Sequence, residues 1–214
     1  MSILRVYNLR SGPKMILNKS KIIYFDLETT GLNYFHDHII EIAAMDNLGN
    51  VFSELVDPGI KVPSKITKIT NITNSMIKGK PKIDTILKDF VKFCYKDVQP
   101  QDDVYLVAHN CIGFDKLFLE RQFLKCSITL PPWRYIDSLY LSKYILPDRY
   151  SHRLQALCEY WNIVQKDAHR ALSDVEDLEK VFNLLMHLWE RQHGQTPIKS
   201  IYEFLLSKNN IKTI

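Results

Sequence analysis

The stretch KIIYFDLETTGL at residues 21–32 limits the fold more than any other part of the chain. Its first seven residues are a short apolar run, closed by Thr29, Thr30 and Gly31, and read as a buried strand. At the end of that run Asp26 and Glu28 stand two residues apart, and residues i and i+2 of a strand point to one face. Two carboxylates on one face of an apolar strand are costly unless a cation neutralises them. Hard divalent cations accept such oxygen ligands. Taken alone, an Asp-x-Glu pair has a plainer explanation, a strand end that emerges into solvent.

The rest of the pattern supplies a frame for this strand. Residues 38–45 form a second apolar run, the turn residues 47–50 follow, and residues 51–56 read as the other half of a hairpin. Short helical pieces are expected between residues 64 and 78. After Pro81, the positions Ile83, Ile86, Leu87, Phe90, Val91 and Cys94 keep helical spacing. Residues 104–108 read as a fourth strand, 114–124 as a helix and 133–136 as a fifth strand. Asp137 or Ser138 can cap the next helix, which must end before Pro147. Residues 153–161 are helical. Residues 169–191 form the longest helix, with Leu172, Val175, Leu178, Val181, Phe182, Leu185 and Leu188 facing inward. A last helix is expected over 198–207. Three meandering strands followed by alternating strands and helices predict an α/β fold, a mixed five-stranded sheet flanked by helices.

At 214 residues the chain is one domain with modest additions: an N-terminal extension over 1–20, a main domain over 21–190 and a helical tail over 191–214. Twenty-eight basic against 24 acidic residues leave a formal charge of only +4, which does not by itself demand nucleic acid. Arg5, Arg10, Lys14, Lys19 and Lys21 read as a solvated leader or edge element in preference to a nucleic-acid arm. Four cysteines without a C-x-x-C spacing read as reduced thiols; Cys111 is expected to be buried and inert. No run approaches the ~20 apolar residues of a membrane span. The expectation is a soluble intracellular protein, with cytoplasm and nucleus both open. Trp133 and Arg134 read as surface packing at a strand start, with guidance of a single strand as the alternative.

Two further segments carry chemistry. His109-Asn110-Cys111-Ile112-Gly113-Phe114-Asp115 follows the fourth strand and opens a helix, so Asp115 sits where an acid suits the helix N-terminus. His169 and Asp174, five residues apart, stand at the start of the longest helix. Each segment has a dull explanation when read singly, as turn residues and first-turn acids. Their order, and their placement at strand and helix ends, is what lifts them.

FDLETTGL, HN-x3-FD and H-x4-D in this order resemble the DEDDh exonucleases, the DnaQ-like branch of the ribonuclease H-like superfamily. The look is closest to the proofreading exonuclease domain of bacterial replicative polymerases. The resemblance runs from about residue 21 to about 188. It implies a ribonuclease H-like fold and a 3′–5′ exonuclease that uses two ions of Mg²⁺ or Mn²⁺ and releases nucleoside 5′-monophosphates. By the same resemblance Asp26, Glu28 and Asp174 ligate the first ion, Asp26 alone mainly holds the second, and Asp115 contributes through water. His169 acts as general base, for which its ordinary pKa is suited. The family's other branch carries a Tyr four residues before the last Asp; Arg170 occupies that place here. Thr29, Thr30, Leu32, His109, Asn110 and Phe114 are the implied substrate contacts, with Leu32 wedged against the terminal base and core packing an equal reading of Phe114.

The implied partner is nucleic acid with a free 3′ end, DNA by the polymerase likeness. An exoribonuclease or oligoribonuclease on the same site is the alternative, because the contact to a 2′-hydroxyl that would decide is not legible. A non-catalytic accessory subunit is the reading from another class; loss of an acid would be its signature, and none is lost. The tail over 191–214 is amphipathic in Ile198, Ile201, Tyr202, Leu205 and Leu206. It closes over the domain's own core, or docks on a second copy or a polymerase or repair partner.

Overall fold

The computed structural model describes residues 20–165, 170–194 and 198–209. His169, and the basic residues that precede Ser20, lie outside them. Five strands form one sheet: β1 (Ser20–Thr29), β2 (Ile39–Asp46), β3 (Val51–Leu55), β4 (Asp103–Ala108) and β5 (Arg134–Asp137), in the order β3-β2-β1-β4-β5. β1, β2 and β3 pair antiparallel, whereas β4 pairs parallel to both β1 and β5. The expected mixed sheet is therefore present, with the hairpin of β2 and β3 at one edge. Its turn is closed by Asp46, whose carboxylate accepts from the N–H groups of Leu48 and Asn50, both at 2.9 Å.

The helices are α1 (Ser64–Thr70), α2 (Asn74–Ile77), α3 (Ile83–Cys94), α4 (Asp115–Lys125), α5 (Ser138–Ile145), α6 (Leu154–Tyr160), α7 (Ala171–His193) and α8 (Ile198–Asn209). They cover both faces of the sheet. Ile23, Phe25 and Leu27 of β1 point toward α3 and α4, packing with Phe90, Phe118 and Phe123. Ile22 and Tyr24 point the other way, onto Val175, Leu178 and Phe182 of α7. This two-sided burial explains why β1 reads as an unbroken apolar run. Each fully buried side chain of this kind contributes about 1.5–3 kcal/mol.

The even-numbered face of β1 continues past Tyr24 to Asp26 and Glu28. The strand extends to Thr29, two residues beyond the apolar run, and so brings Glu28 into the ladder opposite Glu41 of β2. The core beneath α7 therefore ends in carboxylates at the C-terminal end of β1. α8 lays Ile198, Ile201 and Leu205 onto the same core as α7, and Tyr202 meets Tyr105 edge-on at 5.9 Å.

Trp133 departs from expectation. It is buried among Phe90, Phe123 and Tyr135, and its Nε1 donates to the Tyr135 hydroxyl at 2.9 Å. It belongs to the core, and its neighbour Arg134 is ion-paired with Asp103. An aromatic at a strand start looks the same in sequence whether the helix above it is α3 or solvent. None of the described helices is long and apolar enough to cross a membrane.

Candidate active site

Three elements converge on one spot. β1 presents Asp26 and Glu28, α7 presents Asp174 from its first turn, and α4 begins at Asp115. One carboxylate oxygen from each of Asp26, Glu28 and Asp174 lies within 4.8 Å of the other two. Asp115 is buried beside them, and its Oδ1 has no hydrogen-bond partner among the described residues. The Leu27 N–H reaches its carboxylate, which ties α4 to β1.

Burial and nearby charge disturb Asp26, Glu28 and Asp115. Removal of water raises Asp26 well above the ordinary carboxylate range, and Asp115, Glu28, Asp174 and Glu41 add to the rise. Glu28 is pushed up to about 8, first by burial and then by Asp174. Asp115 is likewise pushed up to about 8 by burial. A carboxylate group that cannot ionise comfortably alone is suited to a divalent cation, whose charge reverses the local balance.

The loop after β1 is held by its own polar groups. Asp37 folds over Gly31 so closely that an added Cβ would lie 2.4 Å from Oδ2 and would push the carboxylate aside. Asp37 also accepts from the Thr30 hydroxyl at 3.2 Å and from the Asn33 N–H at 2.9 Å. The Thr29 hydroxyl donates to the Gly31 carbonyl at 2.5 Å, and the Thr30 N–H to the His38 carbonyl at 2.8 Å. Both threonines thus spend these groups on the loop, leaving Leu32 83% exposed at its tip.

His109 is tied in the same way. Its Nε2 lies 2.8 Å from the His152 carbonyl and its Nδ1 2.9 Å from the Ser138 hydroxyl. Burial lowers it to about 4, so the ring is neutral, with Nε2–H donating to the carbonyl. Neither ring nitrogen is left for a nucleotide, and the histidine clamps the loop before α6 to α5. Asn110 is exposed with φ 67°. Phe114 is half-buried, its ring 4.8 Å from Phe118. Cys111 is fully buried, and its thiol is held well above the usual range by burial.

Two residues of the site carry more than their sequence context suggests. In sequence, Asp137 is a possible helix cap and nothing else. It does cap α5 through the Leu139 N–H at 3.0 Å, and it also binds the N–H groups of Asn110 and Ile112 at 3.1 and 2.9 Å. The second is Glu41, 1% exposed on the α7 face of β2. It accepts from the Arg170 guanidinium at 3.0 Å and the Ala171 N–H at 3.3 Å, so it fastens the start of α7 to the sheet. Its signal in the sequence is an acid inside the apolar run IIEIAAM, where a charge needs a partner. Glu41→Gln keeps the shape and loses the charge. The missing charge-assisted bonds, worth about 1.5–3 kcal/mol, outweigh the relief of repulsion on Glu28, because Glu41 is a lesser cause there than burial and Asp174. The melting temperature should fall by about 2–8 °C in a thermal scan, and an unchanged or raised value would contradict the fastening role.

A family model described as Exonuclease (RNase_T) matches residues 23–182. The chain belongs to this exonuclease family. Asp26, Glu28, Asp115 and Asp174 all lie within the matched stretch. Exonuclease DPD1, chloroplastic/mitochondrial, of Arabidopsis thaliana is 40% identical over 77% of this chain and 55% of its own length. A PolC-type DNA polymerase III of Clostridium perfringens is 30% identical over 97% of this chain and 14% of its own. The chain thus spans about half of the plant relative and a small part of the polymerase. Among solved structures, the nuclease domain of 3′hExo bound to rAMP superposes with a TM-score of 0.69 at 16% identity, over 79% of this chain and 93% of that one. E. coli exonuclease I in complex with a dA16 oligonucleotide gives 0.69 at 18%, over 80% and 42%. At such identities these two speak for the fold alone.

Proposed function

We propose that this exonuclease removes nucleotides one at a time from single-stranded or frayed 3′ ends of DNA, and that Asp26, Glu28, Asp115 and Asp174 hold two ions of Mg²⁺ or Mn²⁺. The observation that carries this reading is the meeting of three carboxylate oxygens within 4.8 Å, beside an Asp115 oxygen that lacks a protein partner among the described residues. A set of carboxylate oxygen donors suits hard divalent cations. When bound, such ions neutralise charge on the attacking and leaving oxygens of an in-line displacement.

The chain's own residues divide the remaining work. Asp26, Glu28 and Asp174 serve the first ion, Asp26 mainly the second, and Asp115 supports the first through water. His169 takes the proton of the attacking water. Supporting this role, it directly precedes Arg170, which Glu41 fastens beside the acids. Leu32, exposed on a loop made rigid by Asp37, meets the terminal base. Asn110 and Phe114 line the groove, while His109, Thr29 and Thr30 shape it. Contacts of this kind grip backbone and base faces, so little sequence preference is expected. The likeness to PolC-type polymerases supports DNA and a proofreading or repair setting inside a cell.

Matched single-stranded DNA, mismatched duplex and RNA, each 5′-labelled, should be incubated side by side with Mg²⁺ or Mn²⁺. A ladder shrinking from the 3′ end, faster on both DNA substrates, with 5′-monophosphates released, is expected. Faster loss of RNA would move the substrate to ribonucleic acid. An intact substrate, or equal shortening by Asp174→Asn, would leave a binding module in place of an enzyme.

A further inference from the structure

A stripe of aromatic and basic side chains leads away from the carboxylates. Phe114, Phe118, Arg121 and Lys125 are spaced four, three and four apart, so they share one side of α4, the helix that begins at Asp115. The loop after β1 lies against them. Tyr34 meets Phe118 edge-on at 6.5 Å and Phe35 at 4.3 Å. Phe35 is 51% exposed, and the Arg121 guanidinium lies 5.3 Å from its ring centre. Lys125 reaches the Phe35 carbonyl at 3.5 Å. Arg121 Nε has no hydrogen-bond partner among the described residues.

A surface phenylalanine under an arginine is ordinary packing when it stands by itself. Here its position decides. The ring contacts are continuous from Phe114, beside Asp115, to Phe35. At 1.5 Å per residue, Arg121 lies about 9 Å and Lys125 about 15 Å along α4 from Asp115. A stacked strand rises about 3.4 Å per nucleotide along its axis, so the distance from Asp115 to Lys125 corresponds to roughly four nucleotides. An acidic centre repels the phosphates of its substrate, and the cations that offset this must sit just outside it. The acid nearest the stripe in the loop, Asp37, is turned inward onto Thr30 and Asn33. On the far side of α4, Glu120 is 4.0 Å from Lys116.

We propose that Phe35, Arg121 and Lys125 form a subsite for the nucleotides upstream of the 3′ terminus of a single strand, with a base stacked on Phe35 and phosphates facing the two cations. This rests on the reading that the carboxylate centre degrades nucleic acid from its 3′ end. The subsite acts on length, since Arg121 and Lys125 stand about 9 and 15 Å along α4 from Asp115, past the single phosphate of a dinucleotide.

The test compares wild type with Phe35→Ala and with the Arg121→Gln, Lys125→Gln double variant, on a DNA dinucleotide and on dT12 with Mn²⁺ at several salt concentrations. Both variants should match wild type on the dinucleotide, which also certifies their folding. On dT12 each should raise KM about tenfold, as expected when a base–aromatic stack or a pair of phosphate interactions is removed. In the double variant the dependence of log KM on log salt should be shallower by about 0.7 for each phosphate that is no longer neutralised. An unchanged dT12 KM and salt slope would overturn the subsite, as would an equal loss on both lengths. A wild type that degrades neither substrate would instead overturn the exonuclease reading and the subsite with it.

Discussion

Asp26→Asn should lower exonuclease activity by at least about a thousandfold and, in the absence of metal, make the protein more stable. The two effects have one origin. Asp26 lies where β1, α4 and α7 meet, and Asp115, Glu28, Asp174 and Glu41 all act on it in the same direction. On the proposed reading its carboxylate ligates a cation, and without one it repels its neighbours. Asparagine has the same shape and no charge, so the core beneath α7 is undisturbed while one member of the repelling group is gone. The gain should be about 1–3 kcal/mol, or roughly 2–10 °C in melting temperature for a domain of this size. Calorimetry with a chelator reads the stability, and the 5′-labelled oligonucleotide reads the activity. Retention of activity within tenfold would remove Asp26 from the reacting centre. A lowered melting temperature would mean that its hydrogen bonds outweigh the repulsion.

Much of this arrangement is legible in the sequence because it is periodic. The apolar run of β1, the hairpin of β2 and β3 and the helical spacing of α3 and α7 follow from local pattern, and the elements lie within a few residues of expectation. The grouping of Asp26, Glu28 and Asp174 is legible because each acid breaks a pattern at the end of an element. What sequence does not supply is the pairing of residues far apart. Glu41 is inconspicuous inside its strand, since only the register of β1 against β2 and the seating of α7 bring it to Arg170 and opposite Glu28. His109 looks in sequence like a free imidazole at a loop; its two partners, Ser138 and His152, come from segments that meet it only in three dimensions. Trp133 reads wrongly as surface for the same reason, because the helix that covers it is remote in the chain. Local pattern fixes which side chains share a face, and tertiary contact decides what that face meets.

The same electrostatics give the metal-free protein an unusual pH profile. Glu28 rises from 4.5 to about 8 and Asp115 from 3.8 to about 8, both chiefly through burial. Over the window between those ordinary values and about 8, the folded state keeps protons that the unfolded chain has released. Stability therefore falls as pH rises through that window. His109 acts in the opposite sense. Held at about 4 and neutral in the fold, it makes stability rise with pH up to its ordinary value of 6.5. The carboxylate effect is therefore best read between pH 6.5 and 8, where His109 no longer titrates. Divalent cations compete with protons for the same oxygens, so they bind more tightly as pH rises. At about a hundred times the dissociation constant they would stabilise the fold by about 2.7 kcal/mol. The melting temperature should fall across this window in chelator and stay level or rise in Mg²⁺ or Mn²⁺. In Asp26→Asn the fall in chelator should be shallower, because the remaining acids lose one repelling neighbour. Parallel curves with and without the cation would mean that the carboxylates do not share an ion.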